Sequence, residues 1–159
     1  MRYIVGVADM KTAVGDGNLI VTHGLGSCLG IVVYDPLAKV GGMFHVMLPS
    51  SSVSPDKART NPFMFVDTGA PLFFRDVYAA GAAKMRLVVK VAGGASVKEN
   101  GEDFFAIGKR NYVALRKILW QNGVIIAGED VGGSIARTLY LETGTGRTWY
   151  ESAGVEHEL

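Results

Sequence analysis

The sequence predicts an α+β domain. Strand-like runs closed by hairpin turns stand at both ends of the chain, while helical apolar spacing is confined to two segments in the middle. Glycine supplies 21 of 159 residues, well above a usual share of roughly 7%, and it punctuates short apolar runs as turns do. At this length one domain over residues 1–159 is expected, with a core large enough to fold without staples. A doubly wound parallel sheet fits the pattern less well.

Residues 3–7 read as a first strand, Asp16-Gly17 as a turn, and residues 18–22 as a second strand rich in β-branched side chains. After Gly24-Leu-Gly-Ser-Cys-Leu-Gly30 comes a strand over 31–34, a turn opened by Asp35-Pro36, and a strand over 42–48 closed by Pro49. Residues 50–59 are polar, contain Pro55, and read as an exposed loop; the stretch from Ser50 to Phe65 suggests a mobile rim. The first main helix is placed over 63–80, with Phe65, Leu72, Phe73, Val77 and Tyr78 as its apolar face despite Pro71. A buried strand over 85–91 ends at Gly93-Gly94. The clearest helix spans 107–121, with Val113, Ala114, Ile118 and Leu119 at helical spacing and Asn122-Gly123 as its stop. Strands over 124–127 and 137–141 follow, and Thr143-Gly-Thr-Gly146 turns the chain into a last strand over 148–150.

Composition narrows the function. Sixteen Lys and Arg oppose fifteen Asp and Glu, for a formal charge of +1; nucleic-acid and anionic-membrane binders usually carry a basic excess. The apolar stretches are interrupted by Lys84, Arg86 and Lys90, far short of the roughly 20 residues that span a bilayer, so no membrane insertion is expected. The only cysteine, Cys28, excludes an intrachain disulfide and a Cys-rich zinc site. A free thiol fits a reducing compartment, and a cytoplasmic location is expected.

Gly24-x-Gly26-x-x-x-Gly30 superficially matches a dinucleotide-binding turn, but that chemistry needs a helix after the glycines. Here strand follows, so the segment reads as a glycine-rich turn, and no cofactor is expected. The hairpin arithmetic points elsewhere. If residues 35–39 form the connecting turn, Tyr34 lies opposite Val40, Leu29 faces His45 and Cys28 faces Val46. One more residue in the turn, or a bulge, would set Cys28 directly opposite His45, with Cβ atoms about 4.5–5.5 Å apart. A free thiol titrates near 8.5, and a neighbouring imidazolium would lower that value. Backbone N–H groups around Gly26, Ser27 and Cys28 could converge on an oxyanion. Thr22, at the end of a strand, supplies a hydroxyl able to orient an imidazole. Cys28 as nucleophile, His45 as base and acid, and Thr22 as the third group meet the logic of an activated nucleophile. The plainer alternative is a packed cysteine, a core histidine and an ordinary strand threonine. His23 is a second possible base, His157 reads as solvated in a polar tail, and a metal site lacks ligands beyond Cys and His.

Taken in order, Thr22-x-x-x-Leu25-Gly-Ser-Cys28, Tyr34-Asp-Pro36 and Gly41-Gly-Met-Phe-His45-Val-Met-Leu-Pro49 resemble the chemoreceptor glutamine deamidase family, CheD. Val66-Asp67-Thr68, Gly93-Gly94-Ala95, Ile107-Gly-Lys-Arg-Asn111 and Ala127-Gly-Glu-Asp-Val-Gly-Gly133 followed by Arg137-Thr138 extend the resemblance over nearly the whole chain. It implies a layered α/β/β sandwich similar to the catalytic domains of deamidating bacterial toxins. It also implies hydrolysis of glutamine side chains on chemoreceptor cytoplasmic helices to glutamate, with the nucleophile on Cys28, the histidine on His45 and the threonine on Thr22. The implied partners are the receptor as substrate and a receptor-mimicking chemotaxis phosphatase. Phe65 stands where tyrosine is usual in the family and Ala136 where glycine is common, departures that bear on substrate or partner surfaces. Two other functions fit the same residues: a non-catalytic module that docks a receptor or a phosphatase, and a receptor glutamyl methyl-ester hydrolase using the same Cys/His pair.

Overall fold

The computed structural model describes residues 1–96 and 106–159. Ten strands and three α-helices follow in the order β1 (Arg2–Val5), β2 (Asp9–Val14), β3 (Leu19–Leu25), β4 (Leu29–Asp35), β5 (Val40–Val46), α1 (Pro55–Thr60), α2 (Val66–Ala79), β6 (Val88–Gly93), α3 (Ile107–Gln121), β7 (Ile126–Val131), β8 (Arg137–Glu142), β9 (Thr148–Ser152) and β10 (Val155–Glu158). One five-stranded sheet has the order β1-β3-β8-β9-β10 and the other β2-β5-β4-β6-β7. The class is α+β, as expected.

Two apolar cores define three layers. Val5, Ile20, Leu25, Val32, Met43, Leu139 and Leu141 meet between the two sheets. Ile31, Val33, Phe44, Phe73, Val77, Leu115 and Leu119 fill the space between the second sheet and its helices. The second sheet is therefore covered on both faces, which explains why β4 and β5 are buried at every position and read as continuous apolar runs instead of alternating ones. Phe44 anchors α2 to the sheet, its ring centroid 5.5 Å from that of Phe73.

Several sequence expectations shift. The N-terminal strands form no hairpin with each other: β1 pairs parallel with β3, and β2, which hydropathy alone does not mark, pairs with β5 in the other sheet. Strands β6 and β7 form a second parallel pair. The stretch 50–65 is a series of helical turns, including α1, tied to the N-terminal segment by a bond from Asn61 Nδ2 to Ala8 O. Helix α3 has its expected ends, yet its buried stripe is Gly108, Asn111, Leu115 and Leu119, and Val113 is exposed. The polar tail forms the edge strand β10, where His157 is exposed on one side and stacks on Tyr150 at 4.8 Å.

Candidate functional site

The β4–β5 hairpin fixes the geometry. Asp35 pairs with Val40, Tyr34 with Gly41, Gly30 with His45 and Leu29 with Val46. Residues 36–39 thus form a four-residue turn, one shorter than the expected five, and the register moves one step the other way. Neither expected pairing holds. Cys28 stands in the bend just before β4, at the end of the hairpin where Leu29 faces Val46, and packs against the inter-sheet core into which His45 also points.

His45 on β5 and Thr22 on β3 belong to different sheets, and both are fully buried. Their side chains meet across the inter-sheet layer, Thr22 Oγ1 lying 2.7 Å from His45 Nδ1. The same hydroxyl lies 2.7 Å from Val5 O on β1. A carbonyl oxygen only accepts, so the single Thr22 proton goes to Val5 and Nδ1 must carry the proton that reaches Thr22. That fixes the imidazole tautomer and leaves Nε2 with a bare lone pair. Burial lowers the His45 pKa to about 4, so the ring is neutral at pH 7. Among the described residues, two buried side-chain atoms find no hydrogen-bond partner: His45 Nε2 and Asn111 Oδ1.

Cys28 lies in the bend between β3 and β4, half-buried against the inter-sheet core. The register shift in β3 between Thr22 and Leu25 is a bulge of the kind that re-aims a strand beside a functional site. The backbone of the bend is held from three sides. Gly94 N donates to Cys28 O at 2.8 Å and Ala95 N to Gly26 O at 2.8 Å. Gly93, at φ +111°, leaves no room for a side chain, since a Cβ there would stand 2.3 Å from Cys28 O. From α3, Asn111 Nδ2 donates to Ser27 O at 3.0 Å and to Met47 O at 2.9 Å. Behind Gly93, the buried Arg137 guanidinium donates to Gly93 O at 3.3 Å and to Asp130 Oδ1 at 2.6 Å, joining the two sheets at this end.

The electrostatics differ from the expected imidazolium–thiolate pair. Burial pushes the Cys28 thiol up, outweighing a hydrogen bond from its own backbone N–H that favours the thiolate. With His45 neutral and buried, no cation among the described residues lowers the thiol, and the resting pair is thiol and imidazole. Gly26 also drops out as an oxyanion donor, because its N–H is spent on Gly24 O at 3.0 Å. The Ser27 N–H makes no bond among the described residues. His23 is exposed on the bulge. No group of three or more His, Cys, Asp or Glu able to hold a metal occurs among the described residues, and no described helix is long and apolar enough to cross a membrane.

Asn111 and Arg137 were visible only as parts of motifs. A signal for Asn111 existed: it stands on the stripe 108, 111, 115, 119 that α3 buries, where a polar residue needs partners.

Comparison with known proteins identifies the family. The family described as CheD chemotactic sensory transduction matches residues 47–152, a span beginning just after His45. Full-length relatives reach across the rest. A probable chemoreceptor glutamine deamidase CheD of Solibacter usitatus is 49% identical over 99% of this chain and 93% of its own. One of Syntrophus aciditrophicus is 47% identical over 95% and 94%, and one of Pyrococcus abyssi is 41% identical over 90% and 86%. The chain belongs to the CheD family.

Proposed function

We propose that this protein is a cytoplasmic chemoreceptor glutamine deamidase. It hydrolyses glutamine side chains on receptor cytoplasmic helices to glutamate in chemotactic adaptation, using Cys28, His45 and Thr22. The observation that carries the reading is the bare, buried Nε2 of His45 on the same side of its sheet as the only thiol. An unmet buried acceptor is costly, and a base awaiting a proton gives it a purpose. The α/β/β layering supports the likeness to deamidating toxin domains.

Cys28 Sγ attacks the glutamine carboxamide carbon while its proton passes to His45 Nε2. The forming imidazolium is stabilised through Nδ1–H by Thr22, whose own proton is anchored on Val5 O. The carbonyl electron pair moves onto oxygen, which the Ser27 N–H receives, joined by the Cys28 N–H once the sulfur it served is bonded to carbon. Collapse breaks the C–N bond; His45 returns its proton to the leaving nitrogen, ammonia departs and a Cys28 thioester remains. Water then attacks the thioester as His45 takes its proton, and the Cys28 sulfur leaves and is reprotonated. The thiol makes no hydrogen bond to Nε2 among the described residues; catalytic contacts of this kind commonly tighten only with substrate bound. Each turnover replaces a neutral amide with a carboxylate, and the added charge shifts the receptor's signalling equilibrium. A receptor-mimicking phosphatase is the proposed regulatory partner.

The test is mass spectrometry of a glutamine-containing chemoreceptor cytoplasmic fragment after incubation with wild type and Cys28→Ala. Amide-to-acid conversion by wild type alone is expected. Conversion by both would remove Cys28 from the reaction, and conversion by neither, with folded protein and reduced thiol, would favour a docking module.

A further inference from the structure

Asn111 is the second residue with an unmet buried atom, and the proposed chemistry does not use it. Its side chain is fully buried on α3, and both protons of its amide are engaged: one on Ser27 O at 3.0 Å, the other on Met47 O at 2.9 Å. Both partners are carbonyl oxygens, which only accept, so the amide nitrogen must face them and Oδ1 must face away. The two acceptors are not neighbours in sequence. Ser27 immediately precedes Cys28 in the bend, and Met47 lies two residues beyond His45 at the end of β5.

We infer that Asn111 is a positioning residue that sets the distance and angle between Cys28 and His45. This rests on the proposed deamidase chemistry for its purpose but not for its geometry. Helix α3 comes close enough for this because Gly108, one turn before Asn111, has no side chain; a Cβ there would stand 2.4 Å from Gly94 O. Gly94 in turn donates to Cys28 O, so one end of α3 is fitted against the bend through backbone and through Asn111 together. A residue that only filled space would be apolar, like Leu115 and Leu119 on the same stripe. Asparagine keeps two donors at a fixed spacing and leaves Oδ1 without a partner among the described residues, a cost in stability. With β5 and the bend each hung on one proton of a rigid planar group, slippage of either changes the thiol–imidazole approach.

The test uses Asn111→Asp, which keeps the shape and removes both donors, and Asn111→Ala. In each, kcat for deamidation of the receptor fragment is expected to fall on the order of tenfold to a hundredfold, the loss typical of a small misplacement of reacting groups. KM should stay within about twofold, since α3 contacts no substrate in this reading. Independently of any substrate, the pH profile of Cys28 alkylation by iodoacetamide should move, a readout that loss of stability alone leaves in place when measured on folded protein. Wild-type kcat together with an unmoved alkylation profile in either folded variant would overturn the inference. If both variants fail to fold, NMR of wild type decides. Both Asn111 side-chain amide protons should be protected from exchange and shift when Cys28 is alkylated; rapid exchange or no shift would overturn it. Failure of the deamidase reading looks different: wild type would give no conversion while the alkylation and NMR results stood.

Discussion

Strand β4 joins two clusters of buried polar groups, and they are built on opposite terms. At its far end, Asp35 is fully buried and every acceptor is used. Leu37 N, Ala38 N and Ala83 N donate to it at 3.0, 3.1 and 2.8 Å, and Arg86 closes an ion pair at 2.8 Å. The Arg86 guanidinium, helped by those N–H groups, holds the Asp35 carboxyl well below the usual carboxylate range. At its near end, beside Cys28, His45 Nε2 and Asn111 Oδ1 find no partner among the described residues. A closed network stabilises a turn and needs nothing more. An open one stores capacity to accept a proton or fix a geometry, at a cost in stability. Where one fold carries the two kinds of cluster at opposite ends of one strand, the unmet atoms lie at the end where the proposed chemistry is placed.

Substitutions at the open end should remove chemistry and spare the fold. Cys28→Ala has the largest expected effect: loss of deamidation by several orders of magnitude, with Tm nearly unchanged, checked by mass spectrometry and calorimetry. His45→Gln, which keeps a polar side chain but no base, should cost about 10²–10⁴ in kcat, read from initial rates on the receptor fragment. Thr22→Val releases the imidazole from its tautomer and should cost less, on the order of tenfold to a hundredfold; a larger loss than that of His45→Gln would break the assigned order of roles.

The closed end should respond the other way. Asp35→Ala leaves Arg86 and three N–H donors without their acceptor. Because Arg86 is 38% exposed, water relieves part of the loss, and about 2 kcal/mol is expected, or roughly 4–8 °C in Tm. The folded protein should keep wild-type kcat.

Acid separates the two ends. His45 titrates near 4 when folded against an ordinary 6.5, so the unfolded chain binds the extra proton first. Its contribution is complete above about pH 6.5 and is lost as pH falls towards 4, on the order of 3 kcal/mol. Asp35, with its folded pKa depressed below an ordinary 3.8, contributes stability that is lost only as pH falls further. Denaturation curves from pH 7 down to pH 2 should show the first loss absent in His45→Gln and the second absent in Asp35→Ala.

Much of this was legible in the sequence, and the misses have physical causes. Helix α3 and the strands around Cys28 and His45 follow from periodicity and turn residues, and the thiol–imidazole neighbourhood follows from a hairpin. The register did not, because a four- and a five-residue turn are equally compatible with Asp35-Pro36, and each step changes every opposing pair. The Thr22–His45 contact joins two sheets, which no local pattern encodes. The direction of the thiol shift also escaped, since it depends on burial and not on the presence of a histidine. Asn111 needed only the correct stripe on α3; Val113 and Ala114 had drawn the face one position aside.

The proposed chemistry depends on an unprotonated Nε2 held open by Thr22. It is tested most directly by ¹⁵N NMR of the His45 ring in wild type and Cys28→Ala, followed from pH 8 to pH 4. The expected spectrum is a neutral ring protonated on Nδ1, titrating near pH 4. A ring protonated on Nε2, or an imidazolium at pH 7, would contradict it.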